Sequence, residues 1–208
     1  MSTLATSLPP ACPGCQLRFH CVCHLVPSIE AELHIALLMH PNEPSRETNT
    51  GRWLEKSLAS CSRHVWQRTH ACPKLIELIQ SDRYKAYLLY PTEDSQPIVT
   101  MTDYAEQKQP LLIVLDGTWQ EASKMLRKSD WLQALPKLSL QPTTHSRYQL
   151  RRNQQPGHLC TLEVGAQVLS ELGYQRQSEQ LEHFFHHYLK VFQADKSGHA
   201  LKPDQDLK

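Results

Sequence analysis

Four cysteines lie close together near the N-terminus in the spacing C-x2-C-x5-C-x-C, at positions Cys12, Cys15, Cys21 and Cys23. Four thiolates can close a tetrahedral zinc site with bonds of about 2.3 Å, and no coordination position stays open for a substrate. Gly14 permits the turn that brings the first two sulfurs inward, and His20 or His24 is close enough to replace one cysteine. We expect a structural zinc ion; the alternative is two buried thiol pairs without metal.

A second polar segment, residues 40–51, follows an apolar run at 33–39 that is typical of a buried strand. Asn49 or Thr50 can cap the helix predicted to begin next, and the free N–H groups of that helix favour a carboxylate or a phosphate. Plain capping by Thr48, Asn49 and Thr50 is the alternative, and Arg46 by itself is typical of a solvated surface residue.

A third segment, Asp116-Gly117-Thr118-Trp119, follows the most apolar run of the chain, 111–115. Ligands of α/β sheets collect at the carboxyl ends of the strands, so the carboxylate of Asp116 is expected to point into that crevice. Thr118 with Glu121 fits a capping box, and the dipole of the helix keeps Asp116 ionised. The alternatives are that Asp116 only caps the turn and that Trp119 is a core residue.

Positive charge is concentrated in residues 117–160, which contain seven Lys or Arg against two acids and so carry +5, whereas the rest of the chain carries −4. Such asymmetry is typical of a nucleic-acid-binding face in a protein that is neutral as a whole. Tyr148, beside Arg147, can stack on a base while guanidinium groups meet phosphates. The alternative is a solvated helix face followed by a polar loop.

Short apolar runs alternate with helical patterns along the chain. We predict strands over 33–39, 65–68, 86–90, 111–115 and 138–140, and helices over 51–62, 74–80, 118–127, 161–172 and 178–192. This alternation predicts an α/β domain with a mostly parallel sheet and flanking helices. The expected organisation is an N-terminal zinc-binding segment (1–30), a catalytic domain (31–193) and a polar tail (194–208).

Composition excludes several classes of protein. The 208 residues carry a net charge of +1 and are 40% hydrophobic, and no apolar run approaches the ~20 residues of a membrane span. None of the seven glycines forms a dinucleotide-binding G-x-G-x-x-G loop or a P-loop. No export signal is recognisable, so we expect a soluble cytoplasmic protein with no membrane partner.

Four motifs in order, over about residues 12–192, resemble the DTW-domain family of tRNA-uridine aminocarboxypropyltransferases. They are the cysteine cluster, H-P-x-E-x-x-R-x-T-N-T-G from His40, D-x-T-W from Asp116, and Y-x-L-R from Tyr148 leading to L-C-T-L-E from Leu159. Two positions depart from the family pattern, since Cys160 stands where serine is usual and Val164 where alanine is usual. Cys160 keeps the small size of the residue it replaces.

The resemblance implies transfer of the 3-amino-3-carboxypropyl group of S-adenosylmethionine to N3 of a tRNA uridine, leaving 5′-methylthioadenosine. In bacterial members the acceptor is the uridine at position 47 of the variable loop. The resemblance also implies a SPOUT-like fold, in which the sheet is threaded into a trefoil knot, a rare exception to unknotted folding. The expected partners are tRNA and S-adenosylmethionine, and the expected state is a monomer.

With the chemistry above, the resemblance assigns residues to four roles. The catalytic residues are Asp116, Thr118 and Trp119. The donor-binding residues are His40, Glu43, Arg46, Thr48, Asn49, Thr50, Asp116, Gly117, Leu159, Thr161 and Glu163. The RNA-binding residues are Lys124, Arg127, Lys128, Arg147, Tyr148, Arg151 and Arg152, and the zinc ligands are the four clustered cysteines. Uracil N3–H is a weak acid, so Asp116 either receives its proton or positions the uridine and balances the sulfonium charge.

Two other functions fit the same features. One is a SPOUT-like RNA methyltransferase that uses the same donor, and it would release S-adenosylhomocysteine instead of methylthioadenosine. The other is a non-catalytic, zinc-containing RNA-binding protein. Its tRNA binding would be sensitive to salt and independent of S-adenosylmethionine and of Asp116.

Overall fold

The protein is described by a computed structural model that covers residues 8–102, 108–141 and 159–202. Six strands lie in these residues: β1 His34–Met39, β2 Cys61–Val65, β3 Tyr84–Leu89, β4 Gln96–Pro97, β5 Gln109–Asp116 and β6 Lys137–Ser139. They form one sheet in the order β2-β1-β5-β3-β6-β4, and every strand pair is parallel. The predicted α/β class with a parallel sheet is confirmed.

Six α-helices flank this sheet in the described residues: α1 Gly51–Ser57, α2 Pro73–Gln80, α3 Trp119–Arg127, α4 Asp130–Gln133, α5 Thr161–Glu171 and α6 Gln175–Lys196. Short 3-10 turns cover Cys23–Leu25, Glu43–Ser45 and Ile98–Thr102. None of the helices in these ranges combines the length and the apolar character of a membrane span. Separate hydrophobic clusters cover the two faces of the sheet, which is why the central strands β1 and β5 are apolar almost throughout.

The region after α1 differs from the prediction. The helix was expected to reach residue 62 but ends at Ser57, and Leu58 adopts an extended conformation. The Ile29 N–H donates to the Ser57 carbonyl at 2.7 Å, and Ile29 also forms a parallel bridge with Leu58. The edge strand β2 therefore starts at Cys61, and the predicted strand at 65–68 is shifted by several residues, because pairing with β1 overrides the local helical pattern.

The C-terminal helix is longer than predicted. It starts at Gln175 and continues to Lys196, so the segment expected to be a loose tail from residue 194 begins inside a helix. The Asp195 carboxylate accepts the backbone N–H groups of Arg18 at 2.6 Å and Phe19 at 2.9 Å. These bonds attach the end of α6 to the N-terminal segment.

Strand register brings two predicted site segments together. Met39, the last residue of β1, pairs with Asp116, the last residue of β5, and the His40 N–H donates to the Asp116 carbonyl at 2.8 Å. The segment after β1 and the segment after β5 therefore leave the sheet side by side. This arrangement is the one that ligand sites of parallel sheets use.

Candidate active site at the carboxyl ends of β1 and β5

The carboxylate of Asp116 is buried between two predicted site segments. Its side chain accepts the Asn49 amide N–H at 2.8 Å on one oxygen and the Thr161 hydroxyl at 2.6 Å on the other, and Asp116 is only 1% exposed. Thr118 occupies the N-cap of α3 and bonds there to the Glu121 N–H. The cap of that turn is thus Thr118, and Asp116 instead joins β5 to the loop after β1 and to the start of α5.

Asn49 also links Asp116 to a second buried acid. The same amide nitrogen donates to the Glu43 carboxylate at 2.8 Å, and Glu43 is fully buried. The Asn49 side-chain oxygen accepts the Arg52 N–H at 3.1 Å, so Asn49 does hold the start of α1 as the capping alternative predicted. The Asn49 amide nitrogen, however, donates to the two acids, Glu43 and Asp116.

Arg46 connects this network to α3. It donates to Glu43, and both of its terminal nitrogens donate to the Glu121 carboxylate at 2.8 Å. Ion pairing with both acids raises the pKa of Arg46 above its ordinary value. Arg46, expected by itself to be a solvated residue, is therefore held by charge-assisted bonds to two carboxylates.

Glu121 is a site residue that the sequence analysis did not assign. Its carboxylate accepts the Thr118 N–H at 2.8 Å and the Asn42 amide at 3.2 Å, and it lies 3.3 Å from the His40 ring nitrogen. The Arg46 guanidinium and the Thr118 hydrogen bonds hold the pKa of Glu121 well below its usual range. The capping-box pattern located Glu121 in the sequence, but nothing in that pattern indicates that the same carboxylate binds an arginine 75 residues earlier.

The network is acidic overall. Counted as ionised, Asp116, Glu43 and Glu121 contribute three negative charges, and Arg46 contributes one positive charge. Charges in a poorly solvated region interact strongly, so such a site favours a cation over an anion.

The start of α5 joins the network as well, and it also contacts the segment after β1. Besides the Thr161 bond to Asp116, the Leu162 N–H donates to the Thr50 hydroxyl at 3.3 Å. The Cys160 N–H donates to the Glu163 carboxylate at 2.8 Å, completing a capping box at the helix start. Burial raises the pKa of the Cys160 thiol, so this departure from the family pattern behaves as a small apolar cap residue.

Predicted donor-binding residues beyond this network lie in the same segments and are half-buried: Thr48, Gly117, Leu159 and Glu163. Gly51 lies directly beneath the Asp116 carboxylate. A Cβ at Gly51 would lie 2.7 Å from the Asp116 oxygen and 3.2 Å from the Leu37 side chain. A side chain at this position would displace the carboxylate, so the approach of α1 to Asp116 requires glycine.

Trp119 is exposed next to the buried network, which contradicts the alternative that it is a core residue. Its side chain is 42% exposed, and its ring lies 6.0 Å from that of Tyr90, at an interplanar angle of 52°. Tyr90 immediately follows β3, so this aromatic pair stands at the same edge of the sheet as Asp116. The exposed Trp119 ring, backed by the partly buried Tyr90, offers a surface on which a nucleobase can stack.

The predicted RNA-binding residues divide into two groups. Lys124, Arg127 and Lys128 lie on α3 or immediately after it, and all three are exposed. Four others, Arg147, Tyr148, Arg151 and Arg152, lie outside the described residues.

A cavity of about 430 Å³ lies elsewhere in the described part of the chain, beside β3 and β6. Its lining includes Tyr87, Met101 and Lys137, but none of the carboxylates of the network. The candidate active site is therefore placed on the polar network and not on this cavity.

The four clustered cysteines are close enough to share one metal ion. Their sulfurs all lie within 4.8 Å of one another, and Cys12 lies 3.6 Å from Cys21 and 3.9 Å from Cys23. Tetrahedral zinc with bonds of about 2.3 Å requires sulfur separations of about 3.8 Å. We call residues 12–23, which contain the four cysteines, the knuckle. A Cβ at Gly14 would lie 2.7 Å from the Cys23 sulfur, so the turn at Gly14 needs glycine. The donor set fits zinc.

Electrostatics within the knuckle also favour a bound cation. The N–H groups of Cys15 and Gly14 lower the pKa of Cys12 to about 6, whereas burial raises the pKa of Cys23 to about 12. Four adjacent thiolates repel one another, and a divalent cation between them is what allows all four to ionise.

Replacing Glu121 tests the coupling of α3 to the β1 loop. Glu121→Gln is expected to lower the free energy of unfolding by about 2 kcal/mol at pH 7, because Arg46 loses one of its two charged partners. The native pKa of Glu121 is depressed, so its contribution is present above its unfolded pKa and is lost as pH falls through the native pKa. Urea unfolding of wild type and variant should differ more at pH 7 than at about pH 2, because the contribution declines progressively once pH falls below about 4. An equal difference at both pH values would contradict this coupling.

Comparison with known proteins relates the chain to the same family that its motifs resemble. A sequence model of the family described as "DTW domain" matches residues 9–193. A Drosophila melanogaster protein named tRNA-uridine aminocarboxypropyltransferase 2 is 31% identical over 145 residues, which cover 66% of this chain and 55% of that protein. An Arabidopsis thaliana protein named tRNA-uridine aminocarboxypropyltransferase A is 29% identical over 126 residues, covering 53% of this chain and 47% of that protein. The chain thus spans about half the length of these curated relatives, and no solved structure matches it.

Proposed function

Because the chain belongs to the DTW-domain family, we propose that it is a tRNA-uridine aminocarboxypropyltransferase. It transfers the 3-amino-3-carboxypropyl group of S-adenosylmethionine to N3 of a tRNA uridine, at position 47 of the variable loop. The observation that carries the proposal is the network that joins Asp116 to Asn49 and Thr161 and, through Asn49, Glu43 and Arg46, to Glu121. This network brings together three of the segments that carry the resemblance: the one from His40, the one from Asp116 and the L-C-T-L-E segment.

The charge of the network suits the donor. S-adenosylmethionine carries a positive sulfonium and a positive α-ammonium group, and the three carboxylates outnumber the single arginine. The α-carboxylate of the donor needs N–H donors. Arg46, 28% exposed and fixed by Glu43 and Glu121, offers its remaining N–H groups, as do the backbone N–H groups near Asn49 and Thr50.

The adenosine end of the donor lies in this proposal against the start of α5. Leu159, Thr161 and Glu163 belong to this segment, and Thr161 bonds directly to Asp116. Binding of adenosine here would place the sulfonium near the carboxylate network, so the two ends of the donor are held by different segments of the chain.

Orientation of the donor decides the product. The sulfonium has three electrophilic carbons, and the methyl group is the least hindered of them. Transfer of the longer chain requires that its γ-methylene face N3 of the uracil with the methyl group turned away. Fixing both the α-carboxylate and the adenosine is what aims that methylene.

The transfer is a displacement at the γ-carbon of the donor. N3 of uracil forms a bond to the γ-carbon while the carbon–sulfur bond breaks, and its electron pair neutralises the sulfonium to give 5′-methylthioadenosine. The N3 proton passes to the carboxylate of Asp116. Aspartate is a weak base in water, so this role needs a site without water, and the burial of Asp116 supports it. The same negative charge also balances the sulfonium before transfer.

The acceptor uridine stacks in this proposal on the exposed ring of Trp119, which Tyr90 supports from the side. Lys124, Arg127 and Lys128 then contact tRNA phosphates along α3, together with Arg147, Tyr148, Arg151 and Arg152. The zinc ion of the knuckle is structural. The SPOUT-like knot, the monomeric state and a cytoplasmic location complete the proposal.

Product analysis tests the reaction. The zinc-loaded protein is incubated with unmodified tRNA and S-adenosylmethionine, and both the nucleosides and the small molecules are measured by mass spectrometry. We expect 3-(3-amino-3-carboxypropyl)uridine and methylthioadenosine in equal amounts. A reaction without tRNA is the control for spontaneous breakdown of the donor.

Two other results would contradict the proposal. S-adenosylhomocysteine with a methylated nucleoside would identify a methyltransferase. Salt-sensitive tRNA binding with no product and no dependence on S-adenosylmethionine would identify a non-catalytic RNA-binding protein.

A further inference from the structure

Four polar side chains on β1, β2 and the start of α2 contact one another in series, outside the candidate active site. We call this series the relay. The Cys72 sulfur lies 3.6 Å from Nδ1 of His64. Nε2 of His64 lies 2.9 Å from the hydroxyl of Ser62, which in turn lies 2.8 Å from Nε2 of His34. A thiol, an imidazole, a hydroxyl and a second imidazole are thus connected in series.

One of the proton placements that these contacts allow leaves His64 able to act as a base. If Nε2 of His64 carries a proton, it donates to Ser62, and the Ser62 hydroxyl donates to Nε2 of His34. Nδ1 of His64 then has a free lone pair directed at the Cys72 thiol. This order gives a nucleophile, a base and a group that orients the base, the arrangement that activates nucleophiles in general.

The surroundings keep the base uncharged. His64 is only 7% exposed. This burial, together with the nearby Lys74, lowers the pKa of His64. Burial, His64 and Arg83 lower the pKa of His34. The ring of Tyr84 lies 5.5 Å from that of His34, at the end of the relay farthest from Cys72. Both imidazoles are therefore neutral near pH 7, and His64 can receive a proton.

The remaining cysteines differ from Cys72 in environment. Burial raises the pKa of Cys61 to about 12 and also raises that of Cys160. The four knuckle cysteines are the zinc ligands of the proposal above, so their sulfurs would be bound to metal. Cys72 is only partly buried and has the histidine contact described above.

We propose that Cys72 is a nucleophilic thiol, with His64 as its base and Ser62 and His34 as positioning residues, and that it is a site of reversible S-thiolation by low-molecular-weight disulfides. As the Cys72 sulfur attacks one sulfur of the disulfide, its proton moves to Nδ1 of His64. The disulfide bond breaks, and the departing thiolate takes up that proton. The products are a mixed disulfide on Cys72 and one free thiol.

The test is a rate measurement on the full, zinc-loaded chain. The protein is exposed to oxidised glutathione at pH 7, quenched with acid and mapped by peptide mass spectrometry. We expect Cys72 to carry glutathione first, at a rate about tenfold above the exchange rate of free glutathione. A Cys72 rate at or below that of free glutathione overturns the proposal.

Variants of the relay test whether Cys72 reacts because His64 activates its thiol or only because the thiol is exposed. His64→Gln is expected to reduce the Cys72 rate about tenfold, and Ser62→Ala to reduce it by a smaller factor. In His64→Gln the rate should fall more steeply between pH 8 and pH 6 than in wild type, because the thiolate must then form without a base. Ser62→Ala keeps His64, so its pH profile should lie between those of wild type and His64→Gln. His70→Gln is the matched control, since the His70 ring bonds to Thr69 and lies outside the relay. Unchanged rates and pH profiles in both relay variants overturn the proposal.

Discussion

Asp116→Asn is expected to reduce aminocarboxypropyl transfer by at least about a hundredfold, while the protein remains folded. The substitution keeps the shape of the side chain but removes the negative charge and the proton acceptor. It also weakens the hydrogen bonding: the new amide nitrogen meets another donor if it faces the Asn49 amide, and if it faces Thr161 that hydroxyl must accept instead of donate. The expected stability cost is about 1–3 kcal/mol, well short of unfolding.

Release of methylthioadenosine in the presence of tRNA measures this effect, and circular dichroism with urea unfolding confirms the fold. Asp116→Ala should abolish transfer as well, with a larger loss of stability because the Thr161 hydroxyl loses its carboxylate acceptor and the Asn49 amide keeps only Glu43. Asp130→Asn is a matched control, since Asp130 is an exposed residue in the first turn of α4. Near wild-type transfer by Asp116→Asn would show that Asp116 has no catalytic role.

Loss of a knuckle cysteine is expected to have the largest effect on stability. Cys15 is fully buried, and the knuckle is fixed by the Asp195 bonds to Arg18 and Phe19 and by the Lys56 bond to the Gly14 carbonyl at 2.8 Å. Structural zinc contributes binding free energy directly to folding, on the order of ten kcal/mol in isolated zinc fingers. This chain has its own hydrophobic core, so we expect several kcal/mol and a fall in Tm of about 10 °C for Cys15→Ser.

Elemental analysis of protein purified without chelators should give one zinc per chain, and Cys15→Ser should contain almost none. Cys72→Ser is the matched control and should keep its zinc, because Cys72 lies away from the knuckle. A wild-type protein without zinc, or a Cys15→Ser variant with an unchanged Tm, would remove the zinc site.

Some features of the site followed from local pattern. Thr118 and Glu121 predicted a capping box, and the structure confirms it. The apolar run at 111–115 predicted a central strand, and β5 lies between β1 and β3. Both predictions succeed because they depend on interactions between residues close in sequence or on a face pattern that every buried parallel strand shares.

Other features depended on distant contacts. Helix α1 ends at Ser57 because Ile29 bonds to its last turn, and the position of the exposed Trp119 ring beside Tyr90 depends on the pairing of β3 with β5. The edge strand β4 and helix α4 have two and four residues, too few for a periodic pattern to reveal. The relay that ends at Cys72 joins residues from three separate elements.

The sequence by itself determined the α/β class, the cysteine set, the polar segments at 40–51 and 116–119 and the basic segment at 117–160. Residue type and spacing along one chain are sufficient for each of these. Only the tertiary structure decided which polar groups meet. The parallel register of β1 and β5 places Asp116 beside Asn49, and packing of α5 adds Thr161. A buried carboxylate must find donors wherever the fold brings them, and chain separation does not limit that choice.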